Sequence, residues 1–414
     1  MDSNRDILVI GAGIVGTCCA LYLQREGFNV TLMDRGAPGE GASFGNAGNL
    51  GIASCVPAGM PGLLKKVPAL LLDPTAPLKL RWNHLPAALP WFIRFLHASN
   101  PARVEEIADA RQSLLDRMHE GYQLLLADAG AENLIDHSGL LMVWESDKAF
   151  AGARYALDMR KRRGVRFEIL SGNEARNIEP QLSPNVKHAM YVPHLAHAVN
   201  PLRLTQTLAE HFIRRGGRVV REQARGFEIG PEGPRRVITD QGAHDVNRIV
   251  LSAGVWSRPL AAQLGTRVPL EAERGYHAMF PNPNLKLRAA VMSADRYIAV
   301  THMEHGVRAS GMAEFAPPEA APNWDYIGVI RKHAAAVLPR LNAEVGSQWM
   351  GSRPSHPDSK PVIGRSPRHA NVYFAFGHDH IGLALAGITG KLIGEIVSGR
   401  KPSVDLAPFR PDRF

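Results

Sequence analysis

The sequence predicts an α/β fold, with a dinucleotide-binding domain on a central parallel sheet and an inserted α+β domain built on a mostly antiparallel sheet. Three observations predict it. The stretch Asp6–Arg35 reads DILVIGAGIVGTCCALYLQREGFNVTLMDR, in the order strand, glycine turn, helix, strand. Short apolar runs return far downstream, at Ile249–Ala253 and Asn371–Phe376, as buried strands that rejoin such a sheet. Between them, Val268–Phe280, Ala289–Ser293, Tyr297–Thr301 and Val307–Ser310 follow one another as strands of a second sheet.

Each part of the opening stretch has a physical task. Ile7–Ile10 is a short apolar strand, and Gly11, Gly13 and Gly16 supply the G-x-G-x-x-G turn that opens an apolar helix. Gly11 permits the tight turn, Gly13 lets backbone approach a pyrophosphate, and Gly16 lets the helix pack on the strand. The helix N-terminus presents unpaired N–H groups and a positive dipole end to phosphates. The second strand, Asn29–Met33, ends at Asp34, where a carboxylate accepts hydrogen bonds from ribose hydroxyls and disfavours NADP. An ordinary glycine-rich turn is the alternative; the flanking strand, helix, second strand and terminal acid together argue against it.

The remaining elements follow in order. Gly36–Gly51, GAPGEGASFGNAGNLG, is rich in small residues that let backbone press against a flat ligand; a flexible surface loop is the alternative. Met60–His97 combines LLKKVPALLL and LPAALPWFIRFL with prolines and with Lys65, Lys66, Lys79, Arg81 and Arg94. Two readings stand: broken helices covering an active site, or a membrane-surface patch in which Trp82, Trp91, Phe92 and Phe95 dip into lipid. Pro101–Ala129 reads as one amphipathic helix, with Ile107, Leu114, Leu115, Met118, Tyr122 and Leu125 at helical spacing. Strand Leu140–Trp144, helix Asp147–Arg163, strand Arg166–Leu170, a capped helix at Asn173–Pro180 and strand His188–Pro193 come next. Helix Pro201–Arg215 is stopped by two glycines before strand Arg218–Val220 and a hairpin. Trp324–Leu338 is a helix ended by Pro339, and Gly377–Gly390 opens a last helix to Val397. The dinucleotide-binding domain is accordingly placed at 1–60, 180–265 and 345–414, and the substrate domain at 61–179 and 266–344, with a small ligand in the crevice between them.

Composition bounds the function classes. The chain has 414 residues, enough for two domains, and its 21% charged content is that of a folded globular protein rather than a disordered one. Net charge is +9, but the Lys and Arg residues are scattered without aromatic interleaving, so nucleic acid is not an expected partner. Cys18, Cys19 and Cys55 make no disulfide framework and have no metal spacing. Cys18 and Cys19 read as small core residues; Cys55 is either that or a reactive or flavin-linked thiol. This usage fits a reducing compartment. No signal peptide is expected, because the first apolar run is consumed by the fold, and no stretch reaches the roughly 18–20 uninterrupted apolar residues of a spanning helix. The cytoplasm is the expected location, with the inner face of the cell membrane as the alternative. His194 and His197, in PHLAH, lie in a loop without a local acid cluster and are read as non-metal.

Four stretches resemble the FAD-dependent D-amino-acid oxidase superfamily, which includes D-amino-acid dehydrogenases, glycine and sarcosine oxidases and hydroxyproline dehydrogenases. They are VIGAGIVG with Asp34 and Arg35; ASFGNAG (Ala42–Gly48); AGVWS (Ala253–Ser257); and the pair SRPSHPDSKPVIG and FGHDHIGLALAGITG near the end. Within the superfamily, SFGNAG, GMAEF (Gly311–Phe315) and the ending most resemble bacterial D-amino-acid dehydrogenases, and the closing region resembles the branch acting on D-proline or cis-4-hydroxy-D-proline. The resemblance implies a Rossmann-like FAD-binding domain with FAD held non-covalently. Gly11, Gly13, Gly16, Asp34 and Arg35 would hold the ADP half, with Ile14, Val15, Val220, Ala253 and Gly254 completing the cofactor-binding set. Ser43, Asn46, Ala47 and Gly48 would lie along the ribityl chain and ring. The stretch Gly377, His378, His380, Ile381, Gly382 and Leu383 would bring N–H groups to the pyrimidine edge.

The same resemblance implies hydride transfer from the Cα of a small D-amino acid to flavin N5, giving an imino acid, with electrons passed on to a quinone or carrier protein. Arg353, in GSRP, matches the superfamily's carboxylate-binding arginine, and a guanidinium suits that task because its planar fork binds a carboxylate bidentately. His380 stands where glycine oxidases carry arginine; it either bonds the substrate or caps the turn. Tyr276 and His277, in RGYH, match a glycine–tyrosine pair of the dehydrogenases. The Tyr276 phenol either bonds the substrate carboxylate or packs in the core with a satisfied hydroxyl. His378 is read as structural. Other readings are an oxygen-using glycine or sarcosine oxidase and a flavin-bearing subunit active only with partners.

Overall fold

The computed structural model describes residues 5–63, 67–193, 195–341 and 344–414. Lys65, Lys66 and His194 lie outside the described residues.

The opening strand, Asp6–Ile10, sits inside a six-stranded sheet. Across that sheet the segments run 218–221, 29–34, 6–10, 248–251, 372–376 and 362–365, parallel except for the last pair. Alternation along the strand explains its unbroken apolar run. Ile7 and Val9 enter one hydrophobic cluster, while Leu8 and Ile10 enter another on the opposite face. The first face is covered by the helices Ile14–Arg25 and Gly382–Val397; the second by the three-stranded segment 224–245 and the helix Ser257–Gln263.

The first and last helices meet backbone to backbone. A Cβ on Gly390 would lie 2.6 Å from the Cys18 carbonyl carbon, and one on Gly387 would lie 2.6 Å from that of Gly121. The last helix is long and apolar enough to cross a membrane by length and composition, yet 78% of its most apolar window is buried inside the protein. It is a core helix, and its hydropathy reflects contact on all sides.

The second sheet is mostly antiparallel. Its path runs 347–355, 271–280, 306–315, 298–303, 290–293, 140–144, 188–192 and 168–171, with Leu78–Leu80 added beside 306–315. The helix Asp325–Val337 packs on it through Ile327, Ile330, Ala334 and Val337. A small third sheet joins Asn49–Leu50, Ala196–Ala198 and Ile135–Asp136.

Several elements differ from the sequence reading. Pro101–Ala129 is two helices, Pro101–Leu115 and Met118–Ala129, because Arg117 leaves helical geometry at ψ 10° and redirects Gly121 onto the last helix. Asp147–Arg163 likewise breaks at Ala153 into Asp147–Gly152 and Arg154–Arg162. The short helix of the NEARNIEP stretch is Gly172–Ile178, closed by a capping box between Ser171 and Glu174. The strand at Val307–Ser310 extends to Phe315 through Met312, whose φ of 67° bends it. Met60–His97 holds helix Val67–Leu72, strand Leu78–Leu80 and helix Leu85–Ala98. Finally, 188–192 and 347–355 belong to the second sheet, so two segments grouped with the dinucleotide-binding domain carry strands of the other one.

Candidate active site

The ends of both sheets open onto one cavity of about 1240 Å³. One end is built by the glycine turn. Gly11 has φ 107°, and a Cβ there would come 2.4 Å from the Ser252 carbonyl oxygen, so only glycine lets the turn close on its neighbouring strand. Gly13 is the helix N-cap without a capping side chain, and the next N–H, of Ile14, donates to Ser43 Oγ at 2.9 Å. Asp34 accepts from the Ala12 N–H at 2.7 Å and from the Gly36 N–H at 3.1 Å, which fixes its carboxylate at the cavity wall. The Arg35 guanidinium lies 4.3 Å over the Trp256 ring. A helix N-terminus, a side-chain-free turn and a braced carboxylate are what a dinucleotide's pyrophosphate and ribose need, so these residues fit FAD.

The other functional wall is made by two facing strands and the turn before the last helix. Glu273 and Arg353 are register partners, as are Gly275 and Gly351. A Cβ on Gly275 would lie 2.1 Å from Arg353 Nη2, so the missing side chain makes the bed on which the guanidinium rests. Arg353 Nη1 donates to Glu273 Oε1 at 3.1 Å and to the Met312 carbonyl at 2.9 Å. His380 Nε2 lies 3.0 Å from Glu273 Oε1 and 3.2 Å from Asp379 Oδ1. Ser355 Oγ reaches Glu273 and Asp379 at 3.2 and 3.0 Å, and Arg111 Nη1 approaches Asp379 at 3.7 Å. Asp379 is held at φ 53°, a conformation that costs a non-glycine residue energy and marks a constrained site.

Charge follows this geometry. Burial alone would raise the Glu273 carboxyl, but His380, Arg353 and Ser355 drive it down to about 2. Burial alone would lower the His380 imidazole, but Asp379 and Glu273 raise it above its ordinary value. The His380 side chain is still 44% exposed, and it borders the cavity. The wall therefore combines fixed cations with fixed carboxylates.

Most sequence-predicted residues come together here. Gly11, Gly13, Ile14, Val15, Asp34, Arg35, Ser43, Asn46, Ala47, Ala253, Gly254, Gly377, His378, His380, Ile381, Gly382, Leu383, Tyr276 and Arg353 all line the cavity. Three do not. Gly16 packs helix on strand, since a Cβ there would meet the Gly11 carbonyl oxygen at 1.8 Å. Gly48, at φ 86°, lies tight against the Ala198 carbonyl. Val220 pairs with Met33 in the sheet and packs on its second-face cluster.

Tyr276 is corrected in role: its hydroxyl donates to Glu314 at 2.6 Å and accepts from the Asn323 N–H at 3.1 Å, so the satisfied-core reading describes it. Burial, followed by Glu314, pushes that phenol upward. His378 bonds Thr389 Oγ1 at 2.9 Å, and burial brings it down to about 3. Cys55 is fully buried and burial raises its thiol, which fits the small-core reading. His197 gains an environment its local sequence lacks. Its ring meets His302 edge-on at 4.2 Å, and His302 Nε2 lies 2.8 Å from Asp136.

Sequence reasoning missed Glu273, Asp379, Arg111 and Trp256. Strand alternation was the available signal for the first: Glu273, Gly275 and His277 share one face, and Tyr276 the other.

Comparison with known proteins agrees with this geometry. The family model described as FAD dependent oxidoreductase matches residues 6–396. A D-amino-acid oxidase of Bradyrhizobium diazoefficiens is 37% identical over the whole of both chains. A D-amino acid dehydrogenase of Allorhizobium ampelinum is 27% identical over 99% of this chain and 98% of its own. Two solved structures share the fold: an L-proline dehydrogenase from P. horikoshii (TM-score 0.77, 20% identity, 100% of this chain and 98% of that one) and a glycine oxidase from Geobacillus kaustophilus (TM-score 0.78, 21% identity, 99% and 98%). With a dinucleotide cradle at one end of its cavity and family likeness along nearly its full length, this chain belongs to the FAD-dependent oxidoreductases and takes FAD as its cofactor.

Proposed function

We propose that the chain is a D-amino-acid dehydrogenase that oxidises the Cα–N bond of a D-amino acid to an imine and passes the electrons to a quinone or carrier protein. The observation that carries the reading is the facing pair Arg353 and Glu273 on the cavity wall, with His380 against the carboxylate. A free amino acid is a zwitterion, and this pair offers a cation for its carboxylate and a carboxylate for its ammonium. Arg353 is held by Glu273 and the Met312 carbonyl, so its plane is set before substrate arrives, which lowers the entropy cost of orienting Cα. Glu273 and Asp379 accept N–H hydrogen bonds at the amine end; the substrate enters with its amine already neutral, its proton left to solvent, so that the lone pair is free to form the imine and no side-chain base is needed. FAD, when bound, supplies the two-electron acceptor for the Cα hydride. A primary imine then hydrolyses to a 2-oxo acid and ammonia; a cyclic one persists.

The full-length relatives named for D-amino acids support the D configuration. Candidate substrates are D-proline, cis-4-hydroxy-D-proline or a broad set of D-amino acids. Oxygen as acceptor is the second reading, favoured by the word oxidase in the name of the 37%-identical relative. The test is anaerobic titration of the yellow protein with single D-amino acids, L-enantiomers, glycine and sarcosine. Bleaching of the flavin band by D-forms alone is the expected result. Bleaching by glycine or sarcosine alone, or by none, would overturn the reading, and peroxide release in air would select oxygen.

A further inference from the structure

His197, read from its local sequence as a non-metal residue, acquires by folding the acid that its own loop lacks. It lies on the middle strand, Ala196–Ala198, of the small third sheet. Asp136, on the neighbouring strand, is its register partner, and His302 reaches it from Ile298–Met303 of the second sheet. One ligating atom from each of the three lies within 4.8 Å of those of the other two. Two imidazoles and one carboxylate, from three separate strands, thus converge on one point.

The proton on His197 decides what that point can hold. Its Nε2 lies 3.2 Å from the His302 carbonyl oxygen. A carbonyl only accepts, so Nε2 carries the proton and Nδ1 keeps a lone pair. The residue is fully buried, and Nδ1 has no hydrogen-bond partner among the described residues. A buried lone pair with no partner is destabilising. An imidazole whose other nitrogen donates to a backbone carbonyl is, however, the arrangement that orients a histidine toward a metal ion. The 2.8 Å hydrogen bond between His302 and Asp136 accounts for those two residues and leaves His197 Nδ1 unsatisfied. A cation held by all three residues satisfies it, with the Asp136 carboxylate as counter-charge. The donor set selects the kind of cation. Ca²⁺ and Mg²⁺ take oxygen ligands, whereas two nitrogens and one oxygen suit zinc, which accepts three protein ligands and water in its fourth position. The Asp136 and His302 side chains are 37% and 23% exposed, so an ion has a way in from solvent.

We propose that Asp136, His197 and His302 form a zinc site that clasps the third sheet to the second beside the cofactor loop. The His197 strand also pairs with Asn49–Leu50, and the Ala198 N–H donates to the Gly48 carbonyl at 2.8 Å. Thr301, next to His302, donates its hydroxyl to the Ala47 carbonyl at 3.0 Å. Ala47 and Asn49 line the cavity. The ion therefore joins two strands that both grip the segment 47–49, and it stiffens the cavity wall without touching substrate. The site does not depend on the dehydrogenase reading.

The test is equilibrium dialysis of the full-length, FAD-loaded protein, freed of metal by a chelator, against micromolar zinc. The variants are His302→Gln and Asp136→Asn, with His305→Gln as the control, a ring 76% exposed beside Glu304 and outside the cluster. The expected result is one zinc per flavin in the parent and in His305→Gln, with binding at least about tenfold weaker in the two ligand variants. Zinc should also raise the parent's melting temperature and slow its release of FAD, and do neither in the ligand variants. Less than one zinc per flavin in the parent overturns the proposal. Equal binding in all four proteins, or loss in His305→Gln, also overturns it and marks an adventitious surface ion. FAD release unmoved by zinc overturns the clasp. Should a variant fail to hold FAD, cobalt(II) decides on the parent alone: visible d–d bands of a protein-bound ion, displaced by one equivalent of zinc, are expected, and the spectrum of aqueous cobalt would exclude the site.

Discussion

Arg353 and Glu273 face each other across two strands, and each sets what the other can bind. Arg353 was legible in the sequence because its SRP stretch is distinctive. Glu273 was not, because nothing local marks a glutamate as the partner of a residue 80 positions away. Only the strand register reveals that Glu273 lies opposite Arg353 while the neighbouring Tyr276 turns its hydroxyl to Glu314. Arg353→Lys keeps the charge but loses the planar fork, and should raise KM for D-amino acids roughly 10- to 100-fold with the flavin spectrum unchanged, from the usual ~1.5–3 kcal/mol of a charged hydrogen bond. Steady-state kinetics with a dye acceptor read this directly, and an unchanged KM would remove Arg353 from substrate binding. His380 offers a second check. Its pKa, followed by NMR, should lie above the ordinary histidine value of 6.5. Glu273→Gln removes one of the two carboxylates that raise it and should bring it down.

At the level of elements, the glycine turn and its flanking strands were plain in the sequence, since apolar alternation and the terminal acid are local. The break between Leu115 and Met118 was not, since helical spacing continues across it and only packing on the last helix requires the turn. Helix contacts yield two opposite expectations. Gly390→Val drives a side chain into the Cys18 backbone and should cost about 1–3 kcal/mol, with weakened FAD retention, because the helix it displaces opens at the cavity. Gly328→Ala, in the helix Asp325–Val337 with nothing within 4 Å of the new methyl, should instead add about 0.5–1 kcal/mol. Thermal melts of the two variants beside the parent decide both.

The molecule as a whole was legible as two sheets, but not in its borders: segments 188–192 and 347–355 cross to the second sheet, and long-range pairing leaves no trace in a strand's own residues. One property belongs to no single element. Burial holds His197 near 4 and His277, His356 and His378 near 3, so the folded chain keeps all four neutral where an unfolded chain protonates them. The unfolded state therefore binds more protons as pH falls below about 6.5, and stability drops, by up to about 1.4 kcal/mol per pH unit for each histidine. Glu273 and Asp358, both held near 2, add to the loss below their ordinary values near 4. Melting temperature should decline steadily from pH 6.5 toward 4; a level profile across that range would contradict the neutral histidines. The contact of Gly390 with the Cys18 backbone has its own consequence at this scale. It pins together two helices whose starting ends, at Ile14 and Gly382, both face the cavity. Those ends stand like the jaws of a caliper at a fixed opening, so a mononucleotide, too short to reach both, should bind the protein more weakly than FAD in a fluorescence titration.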